Sequence, residues 1–204
     1  MALHQINGNY VAFASISNLS LFGGGIFAQS CRGSVFENLN INVATIGFYA
    51  VSNCFLSTFR TIQISGPVAG STASMYGGQA SGINTYQDLA ITPNTICLFL
   101  SESSFTAENL FITQTAGTSY GMVVTGSGGP NNSAVLKHLV FSTESSPAPT
   151  SIVACLHLSG YQSVVLSGGT FECNSTLGHA IEAPGGTAIV VNGLHLPKAG
   201  AVSV

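Results

Sequence analysis

The feature that most constrains this chain is a short pattern that keeps returning. Val35-Phe36-Glu37-Asn38-Leu39-Asn40-Ile41-Asn42 has the same shape as Thr58-Phe59-Arg60-Thr61-Ile62-Gln63-Ile64-Ser65 and Thr85-Tyr86-Gln87-Asp88-Leu89-Ala90-Ile91-Thr92. Each reads apolar, two polar, apolar, variable, apolar. With the middle apolar residue as anchor, the copies fall at Leu19, Leu39, Ile62, Leu89, Leu110, Leu139, Gly169 and Leu194. Two positions after every anchor the residue is apolar: Leu21, Ile41, Ile64, Ile91, Ile112, Phe141, Phe171 and Leu196. The copy at Leu110 is looser, and at Gly169 the anchor has lost its side chain. A repeat of 20 to 30 residues marks a solenoid or an array, because one unit cannot bury its apolar face alone.

The fine period chooses between architectures. An apolar-variable-apolar step is the period-2 signature of a strand, and no run at helical spacing exists. A second strand-like run precedes most anchors: residues 25–28, 47–51, 96–100, 121–124 and 152–156. Gly, Ser, Asn and Pro separate the runs, as turns between short strands require. The pattern predicts an all-β fold: a single-domain parallel β-helix of about eight coils, spanning residues 15–204. Residues 1–14 read as an extended segment leading into the first coil.

Composition narrows what such a column can do. Only 5 % of the 204 residues are charged, the net charge is −3, and 46 % are hydrophobic. The surface must therefore be built from Ser, Thr, Asn, Gln and Gly. Nucleic-acid binding needs clustered cations, whereas Arg32, Arg60, Lys137 and Lys198 are scattered. No run of about 18 apolar residues marks a membrane-inserted helix, and no secretory signal is visible in Met1-Ala2-Leu3-His4-Gln5. The five histidines have no close ligand spacing, so neither a metal site nor a cofactor is expected. Cys31 and Cys54 each lie eight residues before an anchor and should stack on neighbouring coils. Small buried core residues are the plain reading of such cysteines; a Cys31–Cys54 disulfide is the sharper alternative.

Positions next to the anchors form rows of their own. One residue before sit Asn18, Asn38, Thr61, Asp88, Asn109, His138, Gly168 and Gly193. Asn and Asp tolerate left-handed backbone and bond locally, so this row predicts a bend repeated up the column. One residue after sit Ser20, Asn40, Gln63, Ala90, Phe111, Val140, Thr170 and His195. If the flanking residues point inward, this row points outward, and it turns apolar at Ala90, Phe111 and Val140. Such a patch marks contact with another chain, unless the loop Ser142 to Ser151 covers it. Glu37 and Arg60 should form an outward ion pair. The stretches 66–82, 117–133 and 142–150 read as insertions, with Tyr76 and Tyr120 as candidate ligand-binding residues for a neutral polyhydroxyl ligand.

The repeat and its Asn row resemble the pectate-lyase-like right-handed parallel β-helix superfamily. Gly33-Ser34-Val35-Phe36-Glu37-Asn38-Leu39-Asn40-Ile41 is most similar to the central shaft of bacteriophage tailspikes, and the resemblance covers about residues 15–197. It implies a right-handed winding and a homotrimeric virion component, on the tail or the capsid surface. That component would contact other virion proteins and bind host-surface polysaccharide. A capsid-decoration protein with a tailspike-like fold and a polysaccharide depolymerase are the alternatives. For depolymerisation, glycosidases need two carboxylates about 5–9.5 Å apart, and Glu102 with Glu108 is the best pair. A single Asp in the chain, Asp88, argues against the calcium site of pectate lyases, and the Asp-rich motifs of polygalacturonases are missing.

Overall fold

The structure is a computed structural model, described here for residues 6–9, 13–42, 47–51, 54–65, 73–79, 83–92, 96–101, 104–114, 118–126, 132–143, 152–161, 163–172, 178–184, 188–196 and 201–203. Among these residues the strands are, in chain order, β1 (Ile6–Asn9), β2 (Ser15–Phe22), β3 (Ile26–Gln29), β4 (Val35–Asn42), β5 (Phe48–Val51) and β6 (Thr58–Ser65). There follow β7 (Ala73–Gln79), β8 (Ile83–Ile91), β9 (Ile96–Ser101), β10 (Ser104–Gln114), β11 (Tyr120–Thr125) and β12 (Ser133–Thr143). The last are β13 (Ala154–Ser159), β14 (Ser163–Phe171), β15 (His179–Glu182), β16 (Ala188–Asn192) and β17 (Ala201–Ser203). Odd-numbered strands make a nine-stranded sheet and even-numbered strands an eight-stranded one, each in strict sequence order. All pairings are parallel, so the chain winds as a parallel β-solenoid, consistent with the expected right-handed β-helix.

The repeat sets the register. Leu19 pairs with Leu39, Leu39 with Ile62, Ile62 with Leu89, Leu89 with Leu110, Leu110 with Leu139, and Leu139 with Gly169. Side chains like these lie over one another and fill a dry interior. Phe36, Phe59 and Tyr86 stack within it, with ring centroids 5.2 and 5.0 Å apart and planes within 8°. Each such pair contributes about 0.5–1.5 kcal/mol beyond simple burial. Asn84 matches interior polar groups across coils. Ser57 N donates to Asn84 Oδ1 at 2.9 Å, and Asn84 Nδ2 donates to the Cys54 carbonyl at 2.9 Å.

The count of complete coils is about five rather than the expected eight. Only in the coils of Leu39, Ile62, Leu89, Leu110 and Leu139 are the anchor and its two apolar partners, three before and two after, all buried. At the near end Ile16 and Leu19 are half-buried, and at the far end Val191 is 43 % exposed. Gly169 has a physical reason to be bare. Its φ is 125°, and an added Cβ would fall 2.4 Å from the Leu139 carbonyl oxygen.

The bend row is left-handed throughout. Asn18, Asn38, Thr61, Asp88, Asn109 and His138 have φ between 50° and 56°, and Gly168 and Gly193 have 64° and 67°. Each kinks its strand into two limbs, so the eight-stranded sheet folds around the core. The side chains link coils: Asn38 Nδ2 donates to Asn18 Oδ1 at 3.2 Å, and Asn109 Nδ2 donates to Asp88 Oδ1 at 2.9 Å. A second left-handed set, Phe13, Gly33 and Leu56, lies six positions before its anchors. Its Phe and Leu carry no sequence signal for such a backbone.

One expectation about loops is overturned: the stretch 66–82 is not wholly insertion, because β7 runs through it. Within 117–133, β11 carries the strand-like run expected at 121–124. The stretch 144–150 lies outside the described residues. The disulfide alternative also fails: Cys31, Cys54, Cys97 and Cys155 are buried and none of the four is disulfide-bonded. Cys31 and Cys54 do stack, with Cys31 N donating to Cys54 Sγ at 3.2 Å. The hydrogen bond to Cys54, together with burial, pushes the Cys31 thiol far above its ordinary range.

Candidate functional site

The column presents three outward faces: one on each limb of the eight-stranded sheet, and one on the nine-stranded sheet. The limb before the bend is polar and carries charges in sequence. Glu37 pairs with Arg60, with Arg60 Nε donating to Glu37 Oε2 at 2.7 Å. Further up, Glu108 stands in register between Gln87 and Lys137. Both ends of the Glu37–Arg60 pair meet solvent, so it contributes at most about 1 kcal/mol.

The limb after the bend carries the apolar row. Ala90 pairs with Phe111 and Phe111 with Val140 on successive strands. Phe111 is 57 % exposed, while Ala90 and Val140 are half-buried. Most of the loop from Ser142 to Ser151 lies outside the described residues.

The nine-stranded sheet carries a register row that sequence reasoning missed. Phe27, Tyr49, Tyr76, Phe99, Val123, His157 and Glu182 follow one another in register; of these, Phe27, Tyr49, Phe99, His157 and Glu182 are partly exposed and Val123 is buried. Phe27 and Tyr49 stack at 5.4 Å with planes 19° apart. At the far end His157 Nδ1 shares a hydrogen bond of 2.7 Å with Glu182 Oε2, and the Tyr120 ring meets His157 edge-on at 5.5 Å. Burial, and then the Glu182 carboxylate, hold the Tyr120 hydroxyl above its ordinary range. Tyr76 and Tyr120, read as loop residues, therefore stand on β7 and β11 of this sheet.

The described acidic residues occupy different register positions. Glu102 lies outside the described residues, so its separation from Glu108 does too. Among the described residues Glu37, Glu108 and Glu182 face Arg60, Lys137 and His157 across the strands. Asp88 belongs to the bend row, and Glu172 follows the end of β14. No two of these five stand opposite each other. Also among the described residues, no group of three or more His, Cys, Asp or Glu gathers to hold a metal ion. No described helix is long and apolar enough to cross a membrane. No protein-family model, curated protein or solved structure matches the chain. Its functional reading therefore stands on these faces.

Proposed function

We propose that the chain is a phage virion component: a trimeric, tailspike-like β-helix that serves as a shaft and binds host-surface polysaccharide. The observation that carries this reading is the apolar row on one sheet face, with Phe111 at its centre and 57 % exposed. Burial against another chain would remove this phenylalanine, and the two apolar residues in register with it, from water. Three copies around one axis, the arrangement that the tailspike resemblance implies, would cover this face in every copy. The low charge suits a particle component whose partners are other coils and neutral polymers. Light scattering on the purified chain tests the reading. The expected mass is three chains, and Phe111→Asp reduces it to one while the β spectrum by circular dichroism is unchanged. A wild-type mass of one chain overturns the proposal.

A further inference from the structure

We propose that the outward face of the nine-stranded sheet is a binding strip for a neutral, extended polysaccharide chain, with Phe27, Tyr49 and Phe99 as its floor. This deepens the polysaccharide-binding reading above and rests on it. The strip is produced by the register. Phe27 pairs with Tyr49, Tyr49 with Tyr76, and Tyr76 with Phe99, so aromatic residues occupy one position on β3, β5, β7 and β9. At a strand spacing of about 4.8 Å, the strip from Phe27 to Phe99 spans about 14 Å. The neighbours on either side in sequence are buried: Ile26 and Ala28, Phe48 and Ala50, Leu98 and Leu100. Phe27, Tyr49 and Phe99 are thus the outward members of the alternation, and each is half-buried.

Three features select the occupant. The first is width. The strip is one side chain across, whereas a stable protein partner covers about 800 Å² on each side; a linear polymer laid along the column meets ring after ring. The second is the border. Two positions further along their strands stand Gln29, Ser101, Thr125 and Ser159, all partly exposed. The last three are in register with one another, and they offer donors and acceptors to hydroxyl groups. The third is charge. No charged side chain stands in the row from Phe27 to Val123, and the first, Glu182, is already paired to His157. The strip has no cation for an acidic polymer. Stacking of Phe27 on Tyr49 turns ring edges outward, and these edges are electropositive. Sugar oxygens, rather than the C–H face of a sugar, are what those edges meet.

Affinity electrophoresis tests the strip. The full chain is run in gels containing a soluble neutral α-glucan, a neutral β-glucan, a galactomannan or an acidic polyuronate. At least one neutral polymer is expected to retard the wild type, and the polyuronate is not. The double variant Tyr49→Ala, Phe99→Ala should weaken retardation at least tenfold, with its β spectrum kept. Should that variant fail to fold, Thr125→Arg crowds the border from a partly exposed position and should abolish retardation. Phe111→Asp should still bind, so loss of the trimer and loss of the strip are read separately. Retardation by none of the neutral polymers overturns the proposal. So does retardation by the polyuronate alone, or full binding by a folded double variant or by Thr125→Arg.

Discussion

Replacing Thr61 by Asn probes the bend that shapes every coil. Thr61 is the β-branched member of the bend row, held at φ 52° between Asn38 and Asp88 on the neighbouring strands. A left-handed backbone costs an ordinary L-residue roughly 1–2 kcal/mol, and asparagine is one of the few that adopt it routinely. The swap should recover about 1 kcal/mol of that cost. It also places a carboxamide in a row where the links already seen are 3.2 and 2.9 Å long. One added exposed link is worth about 0.5 kcal/mol. Together the change should stabilise the chain by about 1.5 kcal/mol. With a urea dependence near 3 kcal/mol per molar, the unfolding midpoint rises by about 0.5 M with unchanged slope. Thr61→Gly makes the contrast: relief of strain is offset by about 0.5–1 kcal/mol of added chain entropy, so its midpoint barely moves. An unchanged or lower midpoint for Thr61→Asn would refute the argument that this row is a strained bend joined by side-chain amides.

Other consequences follow from single contacts. Gly169→Ala drives a Cβ to within 2.4 Å of the Leu139 carbonyl oxygen; it should destabilise by about 3 kcal/mol, and a denaturation midpoint equal to wild type would contradict the close approach. In a Cys173→Ser background, a thiol reagent at pH 8 should label none of Cys31, Cys54, Cys97 and Cys155 until urea is added, because all four are buried; rapid labelling of the native protein would count against the sealed core. The Tyr120 hydroxyl is raised above 10.0 by burial first and by Glu182 second. The folded protein therefore holds this proton longer than the unfolded chain, and the stability it contributes is whole below pH 10.0 and lost as pH rises towards the folded value. A tyrosinate difference titration against Tyr120→Phe should show this raised value, partly lowered by Glu182→Gln; a wild-type value at or below 10.0 would contradict it.

Much of the eight-stranded sheet was legible because its strands alternate cleanly. In Phe36-Glu37-Asn38-Leu39-Asn40-Ile41 the inward and outward sets differ in polarity, and the bend falls on a residue suited to it. That is why the Glu37–Arg60 pair, the Cys31–Cys54 stack and the anchor register could all be placed in advance. The nine-stranded sheet was harder. Phe48-Tyr49-Ala50 and Leu98-Phe99-Leu100 are apolar on both faces, so periodicity could not tell the outward aromatic from the inward core, and the aromatic row stayed hidden. β7 was missed as a strand because Ala73-Ser74-Met75-Tyr76-Gly77-Gly78-Gln79 has no β-branched residue and carries two glycines. Gly77 is there for packing: an added Cβ would lie 2.5 Å from both Leu100 Cδ2 and Tyr86 Oη. The weakened end coils left no local signature beyond Gly169, since exposure of Val191 depends on what stacks beyond it. The Ala90, Phe111 and Val140 row was visible as a break in an otherwise polar series.

The central claim is that residues about 25 positions apart rise one strand spacing at a time along a column. Paired spin labels in the outward row measure this directly, on the Cys173→Ser background. Ser20 and Phe111 are separated by four register steps, and Ser20 and Thr170 by six. At about 4.8 Å per step, the two backbone separations are about 19 and 29 Å. Electron–electron distances that grow in this proportion are the predicted result. A Ser20–Thr170 distance no longer than the Ser20–Phe111 distance would mean that the chain folds back on itself, and the solenoid would be wrong.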